Sequence, residues 1–125
     1  MIHLDADLAV TLEDDRPGTL AKALGCVSAA GINIEGYAEI GGVVHVVSPD
    51  LQKTHDCLQG AGFRIVQEHA VVLVAVDDEP GAAAGVFQRL AQEHINVNYS
   101  YLATGNRLVI ATDHPEQVVE LLTRR

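Results

Sequence analysis

The chain has 125 residues, a length typical of one domain or two small ones, and 48% of them are hydrophobic, as in globular proteins. Seventeen acidic residues against eight lysines and arginines give a net charge of −9, with histidine counted as neutral. This charge argues against nucleic acids and anionic membrane surfaces as partners, because both attract clustered cations. We also expect no membrane span and no signal peptide, because the sequence has neither the ~18-residue apolar run of a span nor a basic and apolar leader.

The cysteines and histidines give no sign of a cross-linked or metal-binding protein. Cys26 and Cys57 are too few for a disulfide framework, so we expect reduced thiols and a cytoplasmic location. The six histidines are scattered and form no metal-binding spacing. The sequence therefore predicts no metal site and no cofactor.

The first half of the chain predicts a strand, a helix, a strand hairpin, a second helix and a last strand. Apolar residues alternate over 7–13, which predicts a strand. The first helix begins near Pro17, a favoured first position, and ends before Gly31. The other elements are strands at 32–40, 43–47 and 63–67, with a tight turn at Gly41-Gly42 and a helix from 50 to about 60.

The second half predicts nearly the same order of elements. A strand over 71–76 is followed by a helix after Pro80. Strands at 95–102 and 107–111 form a hairpin around Gly105-Asn106. A final helix follows Asp113, with Glu116 placed for a capping box.

This similarity of order reflects an internal repeat. The segment DRPG at 15–18 recurs as DEPG at 78–81, which is 63 residues later. The same offset maps Ile32 onto Ile95 and Val46 onto Val109 with no gap. The repeat predicts two units, one at 1–68 and the other at 69–125.

Each unit is predicted to be ferredoxin-like, an α+β fold of order βαββαβ. Its antiparallel sheet has strand order 4-1-3-2 and carries both helices on one face. The second unit lacks its fourth strand, and residues 2–4 are similar to residues 65–67. We therefore hypothesise that the N-terminal segment supplies this strand, within the chain or exchanged from a partner. A frayed N-terminus and a three-stranded second sheet are the alternative.

Two predicted strands are apolar on both faces, although helices cover only one face of such a sheet. These strands lie at 43–47 and 71–76 and are rich in valine. Each of these residues forgoes about 1.5–3 kcal/mol if it stays in water. We therefore expect the helix-free faces to be buried, and we expect a homodimer. A monomer whose two units cover each other is the alternative.

The repeated segments resemble the ACT domain. The resemblance lies in DRPGTL at 15–20 followed by GINI at 31–34, and in DEPG at 78–81 followed by INV at 95–97. It covers nearly the whole chain and implies a tandem pair of βαββαβ units. It also implies a sensor of small molecules, most often amino acids, that regulates metabolic enzymes and has no catalytic activity.

The resemblance places the ligand where the loop before the first helix and the adjacent strand meet another ACT unit. A helix N-terminus attracts a carboxylate, acidic loop residues can bind an ammonium group, and an asparagine amide both donates and accepts. The predicted ligand-binding residues are Asp15, Arg16, Pro17, Gly18, Asn33 and Ile34 in the first unit, and Asp78, Glu79, Pro80, Gly81, Asn96 and Val97 in the second.

Two other interpretations stay open. The chain could be an ACT pair that has lost ligand binding and only dimerises or docks on an enzyme, because Ala82 replaces Thr19 and the two loops differ. It could also be an acylphosphatase-like hydrolase on the same fold. That chemistry needs a glycine-rich phosphate cradle with a positioned arginine, and Arg16 instead lies beside acidic residues.

Overall fold

The computed structural model describes residues 2–12 and 16–124, and these contain six strands and four helices. None of these helices has the length and apolar character that a membrane crossing requires. In chain order the elements are β1 (Ile2–Thr11), α1 (Thr19–Ala29), β2 (Gly36–Ile40), β3 (Val43–Val47), α2 (Leu51–Gly60), β4 (Arg64–Ala75), α3 (Ala82–Gln92), β5 (Tyr99–Ala103), β6 (Arg107–Ala111) and α4 (Pro115–Thr123).

The chain divides into two compact units. The N-terminal unit comprises residues 7–69, and the C-terminal unit comprises residues 2–6 together with 70–124. Strands β1 and β4 therefore each contribute to both units. Ile2 packs against the core of the C-terminal unit. The missing-strand hypothesis, within the chain or by exchange from a partner, stays a prediction.

The N-terminal unit has an antiparallel sheet in which β3 lies between β1 and β2, the order predicted for these strands. Leu8 pairs with Val46 and Val10 with Val44, and all four side chains are buried. They face α1 and α2, because they form one apolar cluster with helix residues. The buried residues of this cluster are Leu8, Val10, Leu12, Ala23, Val27, Ile32, Val44, Val46 and Leu58.

The C-terminal unit repeats this arrangement. Strand β6 lies between β4 and β5, and Val72 pairs with Ile110. Its cluster again joins one face of the sheet to two helices. The buried residues of this cluster are Val72, Val74, Leu90, Ile95, Leu108, Ile110, Val118, Leu121 and Leu122.

The repeat contains a shift of one residue that the sequence comparison missed. Val27 and Leu90 occupy equivalent core positions at the offset of 63, whereas Val46 is equivalent to Ile110 at an offset of 64. The prediction that Val46 corresponds to Val109 is therefore wrong. Because side chains alternate along a strand, a shift of one residue exchanges the two faces of the sheet.

Several element boundaries also differ from the prediction. Strand β2 begins at Gly36 rather than at 32, because the chain first buries Ile32 and joins β3 only when Glu35 N donates to Val47 O at 2.9 Å. The strands predicted at 63–67 and 71–76 are one continuous strand, β4.

The capping box predicted for the last helix is absent. His114 is the N-cap residue of α4, and no side chain caps the helix there. The Asp113 carboxylate instead accepts a hydrogen bond from the Asn98 side chain at 3.0 Å. The Asp113 side chain thus pairs with a residue on another part of the chain and does not cap α4.

Several apolar residues on the helix-free faces of the two sheets are buried. Val47, Val71 and Val109 have 0% of their surface exposed, and Ala9 has 2%. The homodimer inferred from these residues stays a prediction.

Gly31 ends α1 in a conformation that favours glycine. Its φ is +78°, and the N–H groups of Gly31 and Ile32 donate to the carbonyls of Ser28 and Val27. This double hydrogen bond is the Schellman motif, which needs a left-handed residue. His94 has the same place after α3, with φ +57°.

Substitution of two glycines by alanine should have opposite effects. Gly31→Ala should lower the free energy of unfolding by about 1 kcal/mol, because alanine is strained at positive φ. Gly25→Ala, inside α1 with no atom within 4 Å of the new Cβ, should raise it by about 1 kcal/mol. Urea denaturation measures both. Equal effects of the two substitutions would contradict the assigned end of α1.

The two cysteines face each other where α1 packs against α2. Their sulfur atoms lie 3.9 Å apart, and the Cys26 thiol also lies 3.2 Å from the Ala23 carbonyl. Burial, followed by the hydrogen bond with Cys57, raises the pKa of Cys26 from 9.0 to about 11. The fold thus favours the protonated thiol, and its contribution to stability is lost as the pH rises from 9.0 to about 11.

Cys26 should therefore resist alkylation in the folded protein. At about pH 8 its thiolate population should be on the order of 100-fold lower than in the unfolded chain, and the thiolate is the reacting form. Mass spectrometry of the Cys26 peptide after iodoacetamide treatment, with and without urea, measures the difference. Equal rates in the two conditions would refute the raised pKa.

Candidate functional site: a cationic cavity at the start of α1

The N-terminal unit contains a cavity of about 450 Å³ beside the start of α1. It is bounded by the end of β1, the loop into α1, the turn after α2 and the start of β4. Its described lining residues are Thr11, Arg16, Pro17, Gly18, Thr19, Lys22, Ala61, Gly62, Phe63 and Arg64.

The first turn of α1 has no side-chain cap, because its N-cap residue is glycine. Gly18 has φ +96° and no side chain that could cap the helix. The turn is held instead by Thr19 N donating to Arg16 O at 3.0 Å and by Arg16 N donating to Thr19 Oγ1 at 3.3 Å. A helix N-terminus carries roughly half a positive charge, which favours an anion in the cavity.

The opposite wall is positioned by the end of α2. Gly62 has φ +92°, and Phe63 N donates to Leu58 O at 3.0 Å, so the chain turns sharply into β4. This turn places the Phe63 ring at the cavity, where Lys22 Nζ lies 5.7 Å from the ring centre. The contact holds the Lys22 ammonium against one wall.

The charged side chains among the described residues that line the cavity are all cationic, although the chain as a whole is acidic. Its described lining includes Arg16, Lys22 and Arg64 and no carboxylate. The net charge of the whole chain is −9. A concentration of positive charge at a helix N-terminus suits a small anion or the carboxylate of a larger molecule.

The structure brings together some of the residues predicted for the first site. Arg16, Pro17 and Gly18 line the cavity, whereas Asn33 and Ile34 do not. Asn33 is exposed, and Ile34 packs against the core of the N-terminal unit. Asp15 lies outside the described residues.

The second predicted site has a similar backbone and different surroundings. Gly81 is the N-cap residue of α3 with φ +88°, and Asp78, Glu79 and Pro80 are exposed in the loop before it. Asn96 is also exposed, and its carbonyl accepts from Thr112 Oγ1 at 3.0 Å. Val97 packs against the core of the C-terminal unit.

The charges of the cavity are not repeated at the start of α3. At the helix offset of 63, Glu79 corresponds to Arg16 and Gly85 to Lys22. A smaller cavity of about 270 Å³ in the C-terminal unit lies elsewhere, beside Glu93, Glu120 and Arg124. The two helix starts therefore differ in the charge of the side chains around them.

Sequence reasoning missed seven of the ten described lining residues, among them Lys22, Phe63 and Arg64. Lys22 lies in the first turn of α1, a helix whose apolar residues had been assigned to the core. Phe63 and Arg64 follow a different helix, α2. A search for a cation one turn after the Pro-Gly pair would have found Lys22. The contribution of Phe63 and Arg64 depends on how α2 ends.

Sequence reasoning also missed a cluster of Asp7, His45 and His69. Their side chains each offer one donor atom, and these atoms all lie within 4.8 Å of one another. The three residues are far apart in the chain and form no recognisable spacing. Only the pairing of strands brings them together.

Comparison with known proteins identifies the family. The family described as ACT domain pair matches residues 6–125, so the chain belongs to this family of regulatory domains. This result confirms the resemblance found in the repeated loops. No curated protein sequence matches the chain.

Solved structures share the fold at low sequence identity. Protein BT0572 from Bacteroides thetaiotaomicron is 24% identical with a TM-score of 0.83, over 98% of this chain and 88% of that one. The regulatory subunit of aspartate kinase from Thermus flavus is 18% identical with a TM-score of 0.63, over 98% and 94%.

A further similar structure is that of E. coli aspartokinase III in complex with lysine and aspartate. It is 20% identical with a TM-score of 0.64, over 98% of this chain and 32% of that one. These likenesses support the α+β fold of two βαββαβ units.

Proposed function

We propose that this protein is a regulatory module that binds a free amino acid in the cavity of the N-terminal unit. The observation that carries the proposal is the cationic cavity at an N-terminus whose cap residue has no side chain. The ligand carboxylate would lie at the first turn of α1, with Arg16, Lys22 and Arg64 supplying positive charge. Membership of the ACT domain pair family supports the regulatory role.

The proposal assigns binding to one of the two units. Glu79 and Gly85 take the places of Arg16 and Lys22 at the start of α3, where a carboxylate would meet negative charge. We therefore expect one ligand per chain. The loop at 78–81 with Asn96 and Val97 then serves the fold or a partner, and Ile34 serves the core of the N-terminal unit.

The target of regulation is proposed to be a metabolic enzyme, and the module itself is proposed to have no catalytic activity. Aspartate kinases are among the proteins that share this fold, and the aspartokinase III structure holds lysine and aspartate. Amino acids of this kind are therefore the first ligands to test. A cytoplasmic location fits the two free cysteines.

A homodimer remains part of the proposal. Ile40 is 71% exposed and Leu102 is 65% exposed, and a second copy could cover such apolar side chains. Light scattering at micromolar concentration measures the mass, and a monomer would contradict this part alone.

A thermal-shift screen against the common amino acids tests the ligand class. A ligand at 100 times its Kd should stabilise the protein by about 2.7 kcal/mol, which is several degrees in Tm. The matched control is the amine that lacks the carboxylate of each active ligand, which should give no shift. If no amino acid raises Tm, the alternative of a pair that only dimerises or docks is favoured.

Charge reversal at the cavity tests where the ligand binds. Arg16→Glu introduces the residue found at position 79 and should weaken binding about 10- to 100-fold, because a charged hydrogen bond contributes about 1.5–3 kcal/mol. Lys53→Glu is the control, since it makes the same charge change at an exposed site on α2. Calorimetric titration measures both. Equal weakening by the two variants would exclude the cavity as the site.

A further inference from the structure

A second cluster of functional groups lies in the N-terminal unit, away from the cavity. Asp7 on β1 contacts His45 on β3 and His69 on β4. Asp7 Oδ2 lies 3.3 Å from His45 Nδ1, and Asp7 Oδ1 lies 3.3 Å from His69 Nδ1. None of the three residues lines the cavity at α1.

The cluster is buried at its centre and open at its edge. The Asp7 side chain has 0% of its surface exposed, whereas His45 has 15% and His69 has 28%. Both Nδ1 atoms are shielded from solvent. A carboxylate removed from water is stabilised by positive charge beside it, and a metal ion bound by these three side chains would supply such charge.

The fold does not require polar residues at these positions. Ala9 pairs with His45 in the N-terminal unit, and the equivalent pair in the C-terminal unit is Leu73 with Val109. Two residues before Leu73, Val71 is the equivalent of Asp7. Val71 and Val109 are both fully buried. The same strands thus accept valine in one unit and a carboxylate with an imidazole in the other.

We propose that Asp7, His45 and His69 bind a divalent transition-metal ion of the zinc type. Two imidazole nitrogens and a carboxylate oxygen are donors that such ions prefer, whereas Mg²⁺ and Ca²⁺ take oxygen ligands. A tetrahedral ion with bonds of about 2.0–2.1 Å holds its ligand atoms about 3.3 Å apart. Asp7 lies at this separation from each histidine, but through a different carboxylate oxygen in each case. The three donor atoms all lie within 4.8 Å of one another, so a bound ion would draw them closer together.

The ion would be held by three strands of one unit. Both imidazoles present Nδ1, so binding requires each ring to carry its proton on Nε2. Three protein ligands leave a fourth position for water. The site is independent of the amino-acid cavity, and it gives the N-terminal unit a second input.

Metal titration of the full chain tests the site. Metal-free protein should bind one Zn²⁺ per chain by calorimetry, and Co²⁺ should give the visible absorption of a tetrahedral site. His45→Gln and His69→Gln should each weaken Zn²⁺ binding more than 100-fold, beyond the 10–100-fold effect of losing an outer-shell partner. The control is His55→Gln, whose exposed ring lies 3.2 Å from Asp56 and which should leave binding unchanged.

A second variant guards against failure to fold. The double substitution Asp7→Val with His45→Val introduces the valines of the C-terminal unit, so it should fold and bind no metal. Diethyl pyrocarbonate should modify His45 and His69 more slowly when Zn²⁺ is present, and His55 equally with and without it. Absence of stoichiometric Zn²⁺ binding, or binding that persists in the double variant, would overturn the proposal.

Discussion

The register in which β1 pairs with β3, and β4 with β6, is the constraint on which the rest of the structure depends. The pairing of Leu8 with Val46 directs these side chains to the helices. The next residues along the two strands, Ala9 and His45, therefore point to the other face of the sheet. A shift of one residue would place Asp7 and His45 among the leucines and valines of the core. The register therefore determines both the apolar clusters and the place of the polar one.

The two units use one backbone plan for different purposes. Both α1 and α3 begin at a left-handed glycine, so the same shape of helix start occurs twice. The side chains around it differ, since Arg16 in one unit is replaced by Glu79 in the other. The two units therefore share the conformation of a helix start and differ in the charge beside it.

Much of the fold could be predicted from the sequence. The turns at Pro-Gly and Gly-Gly mark element ends through local backbone chemistry, and the bounds 43–47 and 107–111 of two strands were predicted without error. The shift to an offset of 64 in the strands could not be found in this way. The shift depends on which face of each strand packs against the helices. Because both faces of these strands carry valine, the sequence does not distinguish them.

The sites were less accessible to sequence reasoning. The Pro-Gly loop pointed to Arg16 and Gly18, because a helix start has a recognisable local signature. Phe63 depends on the way α2 ends, and the cluster around Asp7 depends on pairing between distant strands. Local sequence patterns carry no information on contacts between residues that are far apart in the chain.

The shared strands have a consequence for how the protein can be divided. Residues 2–6 belong to the C-terminal unit, although the chain then enters the N-terminal unit at residue 7. A cut between residues 69 and 70 therefore leaves the later fragment without part of its own unit. The order of the chain and the order of the folded units do not coincide, which favours cooperative unfolding of the whole protein over independent loss of either half.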